Sequence, residues 1–207
     1  AGRALACVLG QIGQPGTGYT FGYGSTTPVG RPARLLEWPS FPKLANPVRD
    51  DIPVARIADA LLRPGARYSY NGEERSYPDL RLAWWTGGNP FHHHQDLFRL
   101  EQAWQRPETV IVNDHAWTAT ARRADLVLPA TSPLERDDIM LNRRDPTLLY
   151  MSKMFEPLGL ARNDHDIFAD IADQLGVRSA FTEDRSPEGW LRHLWSQTQA
   201  AAKAHDI

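Results

Sequence analysis

Cysteine is almost missing from this sequence: Cys7 stands alone among 207 residues, which rules out an internal disulfide and suits a reducing compartment. Long apolar runs are missing as well, and stretches of a handful of residues cannot make the roughly 20-residue helix that crosses a bilayer. Nor does one sign of charge dominate. With 23 basic and 25 acidic side chains and a net charge of -2, nothing steers the chain toward nucleic acid or an anionic membrane surface. The short catalytic signatures are absent too: there is no Walker sequence, G-x-G-x-x-G fingerprint, G-x-S-x-G elbow or H-E-x-x-H pair. Cys7 lies among Ala4, Leu5, Ala6, Val8 and Leu9. That setting makes it a small buried hydrophobe with no nearby base, so no nucleophile is expected.

What remains is a chain long enough for a real core, organised in three textures. "RALACVLGQIG" predicts a short helix closed by Gly13. Residues 14 to 50 are then dense in Gly, Pro and aromatics, with five aromatics from Tyr19 to Phe41. Solvated linkers are poor in aromatics, so this segment is expected to be a functional surface loop. "DIPVARIADALLRPG" predicts a helix capped by Asp51 and followed by Gly65, and Asn71-Gly72 predicts a hairpin tip. From Leu80 onward the pattern is regular. "LRLAWWT", "TVIVND" and "DLVLPA" are strands, separated by "HQDLFRLEQAWQ", with Leu97, Leu100 and Trp104 on one face, and by the shorter "WTATARRA". Two more helices follow, in "NDHDIFADIADQLG" and, with Ser186 as cap, in "SPEGWLRHLWSQTQAAAKA". This alternation implies an α/β fold, Rossmann-like and three-layered, with a parallel sheet covered on both faces. The expected organisation is an N-terminal helix and loop over 1–52 and an α/β cofactor-binding domain over 53–207, folding as one unit.

In a parallel sheet, ligands bind beyond the carboxyl ends of the strands. After the first predicted strand come Gly87, Gly88 and Asn89; after the second, Asn113, Asp114 and His115; after the third, Thr131, Ser132, Glu135, Arg136, Asp137 and Asp138. Three polar loops opening on one rim fit an extended polar ligand such as a nucleotide. The glycine pair lets backbone N–H groups approach phosphate. Asp114 suits a ribose or base edge, or equally a helix cap before "WTATAR". Arg136 suits phosphate or an ordinary surface ion pair. Trp84, Trp85 and Trp117 flank these loops and could stack on a ring or fill the core.

His92, His93 and His94 raise the question of a metal. Adjacent residues on a helix point about 100° apart, so three in a row converge poorly on one ion. One histidine facing the ligand while the others pack is the better expectation, with no metal-ligating residues.

Four quoted segments carry a resemblance: "IPVARIADALLRPGARYSYNG", "YPDLRLAWWTGGNPFHHHQDLFRLEQAWQRPETVIVND", "WTATARRADLVLPATSPLERDDI" and "EPLGLARNDHDIFADIADQLG". In this order they resemble the molybdopterin-dependent oxidoreductases, in the subgroup of dimethyl sulfoxide, trimethylamine N-oxide and biotin sulfoxide reductases. "RPETVIVND" and "ARNDHDIFAD" are most similar in texture to the biotin sulfoxide reductase branch. The resemblance implies a molybdenum ion held by two molybdopterin guanine dinucleotides, with oxygen-atom transfer from S-oxides or N-oxides. By matched motif, Gly87, Gly88, Asn89 and His93 contact the cofactor, Asn113 and Asp114 sit near the guanosine, Arg136 near phosphate, and Asp166 at a guanine edge.

The family's serine ligand to molybdenum has no counterpart here, and its second nucleotide-binding domain and carboxyl-terminal barrel are not represented. The chain is therefore expected to be part of a longer enzyme. It holds at most one dinucleotide half, has no catalytic residue of its own, and works with the remaining domains of the same protein on a small S-oxide or N-oxide. Nucleic acid and membrane are not expected as partners. A cytoplasmic setting is expected, with a periplasmic one open, because an upstream signal would not be visible. The alternative is a stand-alone α/β nucleotide-binding or interaction module without catalysis; a histidine-metal hydrolase ranks last.

Overall fold

Period-two and period-3.6 patterning places the elements of the middle of the chain where the sequence predicts them. The structure is a computed structural model and describes residues 2–19, 40–43, 45–48, 51–141 and 148–204. Most of the Gly/Pro-rich segment, expected to be a functional loop, lies outside the described residues. The chain divides into two compact units, one made of Ala1–Ser40, Ile139–Tyr150 and His193–Ile207, the other of Phe41–Asp138 and Met151–Arg192.

The second unit carries the α/β architecture. After helix α2 (Ile57–Leu62), strands β1 (Arg67–Tyr70) and β2 (Glu73–Ser76) form an antiparallel hairpin with Tyr70 opposite Glu73. Its tip is Asn71-Gly72, with φ of 51° and 82°. Both residues are left-handed, as a two-residue turn matched to strand twist requires. Next come β3 (Leu82–Thr86), α3 (Pro90–His93), α4 (Leu97–Trp104), β4 (Thr109–Asp114) and β5 (Leu126–Pro129). The three strands form one parallel sheet in the order β3-β4-β5, with Thr86 level with Asn113 and Asp114 level with Pro129. Their carboxyl ends therefore share an edge. Strands β6 (Asp138–Leu141) and β7 (Leu148–Met151) make a separate pair. Helices α5 (Asp164–Gln174), α6 (Arg178–Thr182) and α7 (Pro187–Ala204) complete the chain.

Both faces of the parallel sheet are used. On one, Val110 and Val112 meet Leu61, Phe91, Leu100, Ala103, Trp104 and Ala121 in a continuous core, with Trp85 against its edge. A fully buried side chain such as Leu100 contributes roughly 1.5–3 kcal/mol. Trp104 also satisfies its indole by donating to the Arg123 carbonyl at 3.1 Å. Trp84, one residue before Trp85, points to the opposite face and meets Phe168 of α5 at 5.2 Å between ring centroids. Trp84 and Trp85 thus serve as packing residues.

Several local expectations are corrected. Helix α1 (Gly2–Val8) is closed by Gly10, at φ 61°, rather than Gly13. The Gln11 N–H reaches back to the Ala6 carbonyl in the usual C-terminal wrap. Only Ala6 of this helix is buried, and Cys7 is exposed, so it is not the buried hydrophobe expected. Asp51 does not cap the following helix, because its carboxylate is taken by Arg75 of the hairpin. That helix starts with a 3-10 turn, Val54–Arg56, and becomes α-helical only at Ile57. Leu97 is 40% exposed, leaving Leu100, Ala103 and Trp104 as the buried face of α4. "WTATARRA" makes only a 3-10 turn, Ala121–Arg123. The hydroxyl of Thr118 bonds to Asp114 and that of Thr120 to Asn89, which competes with a regular helix.

Candidate functional site

At the carboxyl end of β3 the chain turns through Gly87 and Gly88, at φ 73° and 77°. A Cβ on Gly87 would meet nothing within 4 Å, and one on Gly88 would touch only the Trp85 indole nitrogen at 3.5 Å. Glycine is required here by backbone conformation rather than by crowding. Among the described residues, no turn or cap hydrogen bond uses the N–H of Gly88 or Asn89. The loop therefore presents backbone donors at the sheet edge. Asn89 precedes α3, and its side-chain oxygen accepts from the buried Thr120 hydroxyl, tying the β3 loop to the loop after β4.

His93 ends α3 and is exposed; its ring stands edge-to-face with that of His92, 5.0 Å between centroids, whereas His94 meets Trp85. Two of the rings thus pack on each other and the third on an indole. Among the described residues no group of three or more His, Cys, Asp or Glu is arranged to hold a metal ion.

At the end of β4 two neighbouring residues behave differently. Asn113 is 3% exposed. Its Oδ1 accepts from the Trp84 indole N–H at 2.9 Å, and its Nδ2 donates to Asp164 Oδ1 at 2.8 Å. It braces the sheet against α5. Asp114 lies on the rim, 10% exposed in its side chain, and its Oδ2 accepts from the Thr118 hydroxyl at 2.7 Å. It thus organises the following turn while also lining a cleft of about 270 Å³ with His115, Ala116, Trp117, Val127, Pro129 and Leu160. Trp117 is 69% exposed beside that cleft, a ring surface presented to solvent rather than to the core.

Beyond β5 an extra chain segment joins the sheet edge. Ala130 and Arg162 form a parallel bridge, with Arg162 N–H donating to the Pro129 carbonyl and Thr131 N–H to the Arg162 carbonyl, each at 3.0 Å. Helix α5 begins immediately after, which brings Asp166 to the same edge as Asp114. The strip Leu160–Asn163 has the Asp114 cleft on one side. On the other is a cleft of about 440 Å³ whose lining includes Glu135, Arg136, Lys153, Asn163, Asp166 and Glu188. Both volumes are near the range of small-ligand sites, about 300–1,000 Å³.

Arg136 and Asp166 share this larger cleft. The Arg136 guanidinium donates to the Thr131 carbonyl at 2.6 Å and to Asp138 at 3.0 Å. Every cation of the lining is paired: Arg136 with Asp138, Lys153 with Glu156, Arg162 with Asp170. Against these three stand the lining carboxylates of Glu135, Asp137, Asp166 and Glu188. The balance suits a ligand rich in N–H donors better than a bare phosphate. Asp166 is 40% exposed, with only long contacts, 3.4 Å from the Asn163 amide and 3.3 Å from His165 Nδ1. In the first turn of α5 it also complements the helix dipole. Glu135 is the opposite case. It accepts at 2.8 Å from the Ser132 and Leu158 N–H groups, and these bonds, with the Ser132 hydroxyl, hold its carboxyl below the usual glutamate range.

The structure thus brings Asn89, Asn113, Asp114, Arg136 and Asp166 to one sheet edge, and pairs Arg136 with Asp166 in one cleft. Gly87, Gly88, Asn89, His93 and Asn113 line neither cleft. Thr131 and Asn163, which connect Arg136 to Asp166, are not marked by any local motif. Only the Asn before "DHDIFAD" signals a helix start.

A family model described as molybdopterin oxidoreductase matches residues 3–174. The chain is 52% identical over 205 residues to biotin sulfoxide reductase of Cereibacter sphaeroides, covering 99% of this chain and 28% of that protein. It is 42% identical over 220 residues to dimethyl sulfoxide/trimethylamine N-oxide reductase of Rhodobacter capsulatus, 98% of this chain and 26% of that one. Trimethylamine-N-oxide reductase of Haemophilus influenzae is 41% identical over 216 residues, again 98% and 26%. The chain spans about a quarter of the length of these relatives.

Proposed function

Because this chain belongs to the molybdopterin oxidoreductase family, we propose that it is the part of an S-oxide or N-oxide reductase that grips one guanine dinucleotide tail of a bis(molybdopterin guanine dinucleotide) molybdenum cofactor. The similarity to a biotin sulfoxide reductase is the basis for placing the parent enzyme in that branch. The cofactor, when bound, supplies two-electron oxygen-atom transfer. This chain supplies binding and orientation in a Rossmann-like layer arrangement, is catalytically incomplete alone, and depends on the remaining domains of the same polypeptide to enclose the metal.

The observation that carries the reading is the half-exposed Asp166 carboxylate in an acid-rich cleft at the carboxyl edge of a parallel sheet. A guanine presents two adjacent N–H donors, at N1 and N2, and one carboxylate accepts both. The remaining rim residues fit around that contact. Gly88 and Asn89 offer backbone N–H groups to phosphate oxygens, with Gly87 setting the turn and His93 a few residues on. Asp114 accepts from a ribose hydroxyl beside the ring of Trp117. Arg136 borders the base cleft, and Asn113 supports the rim from beneath.

Calorimetric titration of the chain with GMP and AMP tests the base assignment. GMP binding more tightly than AMP, with the preference lost in Asp166→Ala, is the expected outcome; equal affinity for the two nucleotides refutes it. In the whole enzyme, Asp114→Ala and Asp166→Ala lower cofactor occupancy. Normal molybdenum content in both variants would remove these residues from the site.

A further inference from the structure

We propose that Thr131 and Asn163 are positioning residues that set base choice, by holding the Asp166 carboxylate in the orientation that accepts guanine. The inference rests on the nucleotide reading above and adds a relay that no motif in the sequence announces.

The relay has one direction. Arg136 can only donate, and its Nη1 lies 2.6 Å from the Thr131 carbonyl and 3.4 Å from the Thr131 hydroxyl. Thr131 is 5% exposed, and its hydroxyl lies 2.7 Å from Asn163 Oδ1. Asn163 Nδ2 in turn points to Asp166 Oδ2 at 3.4 Å. An ionised carboxylate can only accept, so the amide must present nitrogen to Asp166 and oxygen to Thr131. The single hydroxyl proton of Thr131 is thereby committed to Asn163. Donor follows donor from Arg136 to Asp166, and reversing any member would set two acceptors or two donors face to face.

The backbone fixes where this relay ends. The bonds from Arg162 N–H to the Pro129 carbonyl and from Thr131 N–H to the Arg162 carbonyl lock residues 129–131 against residue 162. Asn163 is the N-cap residue of α5, and its own amide side chain makes no cap bond. The side chain is spent on Thr131 and Asp166 instead. That is an unusual use of a residue well suited to capping. One lobe of Asp166 is held by Asn163 and the other lies beside His165, so its remaining acceptor positions open toward the cleft.

Thr131→Val removes the hydroxyl with little change of shape. The Asn163 oxygen then loses the hydroxyl that anchors the amide, and Asp166 loses its orientation. Calorimetry with GMP, IMP (which lacks the 2-amino group) and AMP reads the consequence, with thermal unfolding measured in parallel. Losing one hydrogen bond that positions a charged group is worth about tenfold, so Thr131→Val is expected to shrink the GMP-over-IMP and GMP-over-AMP preferences by about that factor. Thr131→Ser is expected to restore both, and Asn163→Ala to match Thr131→Val. A general structural loss would weaken all three nucleotides alike and would overturn the inference. So would a Thr131→Val protein that keeps its base preference while Asp166→Ala loses it, which leaves the guanine reading standing. Absence of any GMP preference in the unmodified chain would overturn both.

Discussion

Replacing Asn113 by leucine tests whether the end of β4 braces the sheet or touches ligand directly. Leucine keeps the branched shape of a side chain that is 3% exposed, but it removes both hydrogen bonds. The Trp84 indole N–H, bonded at 2.9 Å, and the Asp164 carboxylate, bonded at 2.8 Å, lose their partner together. A donor left unsatisfied inside a protein costs about 1–3 kcal/mol, and a hydrogen bond to a charged group contributes about 1.5–3 kcal/mol. Asp164 is only half-buried, so water restores part of its share. A net loss of about 2–4 kcal/mol follows for Asn113→Leu. Urea unfolding followed by far-ultraviolet circular dichroism measures it, and about 2–4 °C of Tm per kcal/mol is expected for a domain of this size. The decisive step is a double-mutant cycle with Trp84→Phe, which removes the other half of the indole contact. A coupling energy of at least about 1 kcal/mol is expected, since independent sites add within about 0.3–0.5 kcal/mol. Additive losses would refute the brace. Unchanged stability with lost GMP binding would place Asn113 on the ligand instead.

Three further outcomes follow. Gly87→Ala is expected to cost about 1–2 kcal/mol in the same unfolding assay, because the residue sits at φ 73° with free space around a Cβ; Gly87→Asn should cost less, and equal losses would show that something other than conformation is at stake. Trp117→Ala should leave stability within about 0.5 kcal/mol, since the ring is 69% exposed, while weakening nucleotide binding through loss of the ring surface beside the ribose; unchanged affinity would remove the ring from the site. Glu135 is held below the usual glutamate range in the folded chain, so its contribution to stability is complete above about pH 4.3 and is lost as pH falls from there through its folded value. Asp170, lowered by Arg162 and Arg178, has the same sign, so Glu135→Gln should flatten the acid limb of a stability–pH curve only in part. An unaltered acid limb would dismiss the Glu135 contribution.

Local chemistry made much of this fold legible. Asn71-Gly72 specifies its hairpin because two left-handed residues in a row admit few alternatives. Gly176, at φ 71°, marks the end of α5, and the alternation from Leu82 to Pro129 places three parallel strands with their ends level. Failures came where a side chain found a distant partner. Asp51 looks like a cap until Arg75 claims it from the hairpin, and "WTATAR" looks helical until Thr120 is drawn to Asn89. These partners are set by tertiary proximity, which no window of sequence contains.

The same reason explains why Asp166 could be named from a resemblance but not reached from its own segment. Its place on the rim depends on the bridge between Ala130 and Arg162, 32 residues apart. That bridge also changes how the rim must work. Asn113 is committed to Trp84 and Asp164, Arg136 to Thr131 and Asp138, and Asn89 to Thr120. Polar side chains at a strand end look alike in sequence, but here most of them satisfy one another. On the proposed reading, direct recognition falls to a few groups: the backbone N–H groups of Gly88 and Asn89, the ring of Trp117, and the carboxylates of Asp114 and Asp166. The engaged residues act by fixing those groups in place, so their substitution should change selectivity and stability together, whereas Asp166 and Trp117 should change binding with little effect on the fold.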